Sequence, residues 1–149
     1  MLKPLVIVGA LLGCITVSMG WAQDLSKRIE NEYFLFYIPS DMHQLDGQGI
    51  DSFVQRFESD NMQLSFDYGR HSNNFNGWPE DTTYKEVIIS GEPARIGTAT
   101  YEFREGFPYS TQVHFRLDGR VLLSMFAAYK TESDVAIAHA IFDTIIFKE

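Results

Sequence analysis

The chain is short of cysteine, of basic residues and of recognisable catalytic signatures, and each shortage removes a class of function. Its only cysteine is Cys14, so no disulfide staples the fold and residues 23–149 carry no thiolate chemistry. Only 12 Lys and Arg stand against 20 Asp and Glu. Setting Lys3 aside leaves 11 basic and 20 acidic residues over positions 23–149, a formal charge of −9. Such a surface repels nucleic acid and anionic lipid. There is no G-x-S-x-G elbow, no H-E-x-x-H pair and no clustered His or Cys ligand set, which leaves nucleophilic hydrolysis and metal chemistry without a local signature. Repeats, low-complexity tracts and internal linkers are also missing, and the length suits a single core.

What is present begins with a leader. After Lys3, the stretch from Leu5 to Ala22 holds no ionisable group except Cys14, and Gln23-Asp24 then opens a polar region. This is the pattern of an export signal, with Gly20 and Ala22 as the small residues before a cleavage site. Cleavage after Ala22 makes residues 1–22 a signal peptide and 23–149 a secreted domain. Two readings compete with it. Leu11-Leu12-Gly13-Cys14 resembles a lipobox that would lipidate Cys14, and the 18 apolar residues are long enough to stay as a spanning helix. All three place the remaining chain outside a bacterial cytoplasm, periplasmic or secreted, touching membrane only through the N-terminus.

The clearest pattern lies between Ile50 and Ser72. Met62, Leu64, Phe66 and Tyr68 alternate with Gln63, Ser65, Asp67 and Gly69, the period of a strand with one apolar and one polar face. Ile50 to Phe57 pairs with it as a hairpin across Glu58-Ser59-Asp60-Asn61. Earlier, Asp24 to Glu32 is a polar lead-in, Tyr33 to Ile38 the first strand, and Ser40 to Gly49 a polar loop with room for one helical turn. Arg70 to Thr83 is a long loop carrying Phe75 and Trp78. Tyr84 to Ser90 and Ala94 to Phe103 form strands joined by Gly91-Glu92-Pro93, with Ala94, Ile96 and Thr98 on one side. Thr111 to Leu117 and Val121 to Tyr129 make a hairpin through Asp118-Gly119, a strong type I′ signal. Val113, Phe115 and Leu117 face inward and His114 outward. Val121 to Tyr129 is apolar at nearly every position, as expected for a central strand covered on both faces. Thr131 to Asp134 has capping-box spacing, and Ile137, Ala140, Ile141 and Thr144 form a helical stripe. The expected class is therefore α+β: one antiparallel sheet covered by helices, with the C-terminal helix packed on a sheet face.

A Tyr/Phe strand ending in Pro39, the element Gly49-Ile50-Asp51, a strand ending in Phe66 to Gly69, a turn spanning Ile89 to Ile96, the Asp118-Gly119 hairpin and a last helix from Ile137 to Phe147 follow one another in order. This succession resembles a group of small secreted bacterial proteins without an assigned activity, whose fold is similar to that of the PsbP superfamily, extrinsic lumenal proteins of the oxygen-evolving complex. The resemblance implies an antiparallel sheet sandwiched by helices. It implies no catalytic set, and the photosystem role of PsbP is not carried across.

Candidate site residues concentrate at the end of the Met62 to Tyr68 strand. Asp67, Arg70 and His71 are the densest group of chemically capable side chains, and Phe75 and Trp78 either cover the core or present a contact surface. The main expectation is a non-catalytic binding or assembly domain that uses these five residues toward an envelope protein or a small polar ligand, without cofactor. The alternative is a periplasmic hydrolase or metal-dependent enzyme built on Asp67, His71 and His114. Ser52 beside Asp51 is a weak nucleophile candidate, and His139 with Asp143, one helical turn apart, reads as a solvated pair.

Overall fold

The computed structural model describes residues 24–46, 52–70, 72, 74–117 and 121–149. The leader with Cys14 and Ala22, the Gly49-Ile50-Asp51 element, His71 and the Asp118-Gly119 turn lie outside the described residues. Ten strands and one α-helix are described: β1 (Lys27–Glu30), β2 (Phe34–Ile38), β3 (His43–Leu45), β4 (Ser52–Glu58), β5 (Met62–Gly69), β6 (Thr83–Ile89), β7 (Glu92–Ala99), β8 (Tyr109–Leu117), β9 (Val121–Tyr129), α1 (Val135–Asp143) and β10 (Ile146–Phe147). Seven strands form the main sheet in the order β3-β4-β5-β9-β8-β7-β6, and β1, β2 and β10 form a second, small sheet. All pairs are antiparallel. The α+β arrangement expected from the sequence is thus present, with one difference in the cover. Among the described residues a single α-helix and a three-stranded sheet, rather than several helices, close the core face.

Alternation decides which side chains enter the core. Leu64, Phe66, Val113, Phe115, Leu123, Met125 and Ala127 project from one face of the main sheet and are buried, and Phe34, Phe36 and Ile38 meet them from β2. Ring edges lock the two sheets together, Phe36 against Phe57 and Phe66 at 5.8 Å each and Phe34 against Phe66 at 4.9 Å. Such edge-to-face pairs add about 0.5–1.5 kcal/mol beyond area burial. β9 occupies the centre of the sheet, as its almost unbroken apolar run led one to expect.

Several local expectations are corrected. The lead-in contains a strand, because Ile29 pairs opposite Phe36 and Arg28, Glu30 and Lys148 form ion pairs on its outer side. His43 to Leu45 is not a helical turn but an edge strand on β4. The β6–β7 turn is Ser90-Gly91, with φ of 51° and 81°, so Glu92-Pro93 already belongs to β7. Thr131 makes no side-chain capping bond, and Glu132–Asp134 is a 3-10 turn leading into α1. The buried stripe of α1 is Ala138, Ile141 and Phe142. His139 is accordingly half-buried against the sheet instead of solvated, 3.3 Å from the Thr111 hydroxyl. β10 returns to β2, helped by Thr144, whose Oγ1 accepts the Tyr37 N–H at 2.9 Å and donates to the Ile141 carbonyl at 2.6 Å.

Candidate functional site

The strand order explains why the loop after β5 is long. β5 lies beside β9, but β6 is the far edge of the sheet, four strand spacings away at about 4.8 Å each. The chain covers that distance across the outer face, the side turned away from α1. Ser72 lies over β9, where the Ser124 hydroxyl donates to it at 3.3 Å. Phe75 then contacts Tyr84 of β6 (5.3 Å) and His114 of β8 (6.2 Å), and sits on Gly97 of β7, where a Cβ would meet its ring. Phe75 itself adopts φ of 71°, a conformation that costs a non-glycine residue of order 1–3 kcal/mol unless its surroundings fix it. Trp78 closes the turn by donating its backbone N–H to the Phe75 carbonyl at 3.2 Å.

These rings continue into a second group. Trp78 contacts Phe75 at 5.2 Å, Phe103 at 4.8 Å and Phe126 at 6.2 Å, so the loop and the segment after β7 form an aromatic roof on the outer face. Under its edge lies a cleft of about 360 Å³, lined by Val54 and Arg56 of β4, Ser65 and Asp67 of β5, Gln112 of β8, Ser124 and Phe126 of β9, and Trp78, Phe103 and Arg104. A smaller hollow of about 190 Å³ adjoins it and shares Arg56, Ser65, Arg104 and Phe126.

Register orders the polar groups. One rung across the sheet reads Val54, Asp67, Ser124, His114, Arg95, Glu86, and the next reads Arg56, Ser65, Phe126, Gln112, Gly97, Tyr84. Asp67 Oδ1 is shielded from solvent with no hydrogen-bond partner among the described residues. Arg104 lies over the Phe126 ring at 5.5 Å. Neither Arg56, Arg104 nor Asp67 forms an ion pair among the described residues.

Of the residues singled out from the sequence, Asp67 and Trp78 share the cleft and Phe75 adjoins it through Trp78. Arg70 does not join them. It lies at the end of the sheet in a separate open hollow with Tyr33 and Tyr68, and His71 is outside the described residues. His114 faces the same side as Asp67 but β9 lies between them, with Ser124 in the gap. His114 Nδ1 is 2.8 Å from Ser124 Oγ. Asp67 and His114 thus stand two strand spacings apart, about 9.6 Å, and do not meet directly. Among the described residues no three His, Cys, Asp or Glu are placed to hold a metal ion. Ser52 lies at the start of β4, in the hollow with Arg70.

Sequence reading missed Arg56, Arg104, Gln112 and Phe126. Arg56 and Phe126 occupy outward positions of alternating strands and were legible as such, but Arg104 comes from an irregular segment whose position only the folded chain reveals.

The comparison that decides the architecture is with the solution structure of cyanobacterial PsbP (CyanoP) from Synechocystis sp. PCC 6803. It superposes with a TM-score of 0.53 over 82% of this chain and 92% of that one, at 11% identity. The fold is PsbP-like. A crystal structure from Bacteroides thetaiotaomicron VPI-5482 is similar at a TM-score of 0.57 and 14% identity over 84% of this chain, which spans about half (49%) of that protein. No protein-family model and no curated protein matches the chain. The PsbP-like scaffold places the aromatic roof and cleft on the sheet face opposite α1, and among the described residues no helix is long and apolar enough to cross a membrane.

Proposed function

We propose that this chain is an extracytoplasmic, non-catalytic binding or assembly domain whose contact surface is the outer sheet face beneath the Phe75–Trp78 loop. The observation that carries this reading is the aromatic roof. It holds a strained Phe75 and leaves a partly polar cleft of about 360 Å³ at its edge, where a plain crossover would simply cover the sheet. Clefts with apolar walls and a few convergent polar groups are the usual form of small-ligand sites. The PsbP-like fold supports the reading by analogy alone. The two strand spacings between Asp67 and His114, about 9.6 Å, argue against the hydrolase alternative. Export rests on the Leu5 to Ala22 leader.

A photo-crosslinking side chain at Tyr101, exposed and tilted against Phe103 at 4.5 Å, tests the surface in cells, with Glu149 as a distant control position. Adducts from position 101 that are absent from position 149 support the assignment; equal adducts from both, or none, defeat it. The intact mass of the same purified chain tests export. A product beginning at Gln23 or at a lipidated Cys14 supports it, as does an uncleaved chain recovered in the envelope. An uncleaved chain in the cytosol defeats it.

A further inference from the structure

The cleft carries both signs of charge without pairing them, and this identifies the class of molecule it fits. In a chain of net charge −8, Arg56 and Arg104 line one cleft with no carboxylate within ion-pair distance among the described residues. Arg104 is held against Phe126, an arrangement that keeps its guanidinium edge open to planar carboxylates. One rung away stands Asp67, with an oxygen that is out of contact with water and unbonded. Leaving such an oxygen unsatisfied costs roughly 1–3 kcal/mol or more, and the broad χ2 torsion of an Asp lets either oxygen turn toward the cleft.

A simple anion would answer the two arginines and be repelled by Asp67. A simple cation would meet the opposite difficulty. Resting on the binding reading above, we propose that the cleft takes a small zwitterion with a flat apolar body, of the aromatic α-amino acid class: its carboxylate on Arg56 and Arg104, its ammonium on Asp67, its ring against the cleft side of the packed Trp78, Phe103 and Phe126 rings. The spacing suits it. Neighbouring rungs are about 6.8 Å apart along the strand, which accommodates two charge-assisted hydrogen bonds of about 2.8 Å each around a molecule whose opposite charges are separated by three bonds. The volume lies at the lower end of the range for small-molecule sites.

Calorimetry on the purified chain with three probes decides the matter: L-phenylalanine, 3-phenylpropanoate, which lacks the ammonium, and phenethylamine, which lacks the carboxylate. L-Phenylalanine is expected to bind saturably and each truncated probe about tenfold more weakly, the loss of one charged contact. Asp67→Asn is expected to weaken L-phenylalanine about tenfold while binding 3-phenylpropanoate at least as tightly as the natural chain does, since the repulsion of its carboxylate by Asp67 is removed. Arg56→Gln is expected to weaken both. Binding of 3-phenylpropanoate as tight as that of L-phenylalanine, indifference of L-phenylalanine to Asp67→Asn, or no saturable binding up to the solubility limit overturns the proposal. Should a variant fail to fold, the three probes on the natural chain still decide. Crosslinking from position 101 in the absence of any amino-acid binding would sink this inference and leave the contact surface standing.

Discussion

Gly97 of β7 lies directly beneath the Phe75 ring, so closely that a Cβ added there would come within 2.5 Å of the ring's Cε1. The crossing loop therefore rests on the sheet at a point where only a hydrogen fits. Gly97→Ala forces the ring off its seat, and through the 5.2 Å contact with Trp78 it lifts the roof. Overpacking of this kind costs about 1–3 kcal/mol. Urea denaturation measures that loss, and a red-shifted tryptophan emission reports the displacement of Trp78. An unchanged spectrum would show that the loop does not bear on Gly97 in solution.

Asp67 is expected to trade stability for its place in the cleft. Its unbonded buried oxygen is satisfied by nothing among the described residues, so replacing the carboxylate with a neutral amide removes a desolvation cost. Asp67→Asn should leave the fold as stable as before or raise its stability by up to about 1 kcal/mol. Thermal melts of the two chains compare them directly. A clear loss of stability would mean that the carboxylate is structurally paired.

The small sheet is held to the large one by rings. Phe36 is fully buried, with Phe57 and Phe66 edge-on to it at 5.8 Å each, and its truncation leaves a cavity that neither sheet can close. Phe36→Ala is expected to cost about 3–5 kcal/mol in urea denaturation. The exposed Ile88 on the far edge strand, 75% accessible, provides the contrast, since Ile88→Ala should move stability by no more than about 0.5 kcal/mol.

These contrasts mark what the letters could reveal. Strands with one wet and one buried face, such as Met62 to Gly69, announce themselves by alternation. So does β9, by its lack of it. Lys27 to Glu30 and His43 to Leu45 were hidden because they are short edge strands, each with a single anchoring apolar residue, Ile29 or Leu45, and are held chiefly by backbone pairing to the next strand, which leaves no side-chain pattern. The roof over the outer face was invisible for a different reason. Phe75 and Trp78 stood out by composition, but the cleft they border depends on the order β5-β9-β8-β7-β6, which sets the loop across the sheet and brings Arg104 to Phe126. No local pattern encodes that order. Alternation along the strand separates Arg70 from Asp67, although only two residues lie between them: Asp67 lines the cleft on the outer face and Arg70 the hollow with Tyr33 and Tyr68.

His139 shows how one misplaced helical stripe changes a titration. On the true stripe the ring faces β8, and Thr111 gives its hydroxyl proton to the Gly97 carbonyl at 3.0 Å. The same oxygen lies 3.3 Å from His139 Nε2 and 3.0 Å from Thr98 Oγ1. Burial lowers the His139 pKa, Asp143 opposes this by favouring the charged form, and Lys85 adds to the lowering. The unfolded chain, with an imidazole near the ordinary value of about 6.5, then binds a proton more readily than the folded one. Stability must rise with pH between the lowered folded value and about 6.5, and must fall as the solution is acidified through that window. His139→Gln should remove this part of the slope. Comparing melting temperatures near pH 7.5 and near pH 5.5, either side of the ordinary imidazole value of about 6.5, checks it. The natural chain is expected to lose more stability on acidification than the variant, and equal losses would show that His139 is solvated after all.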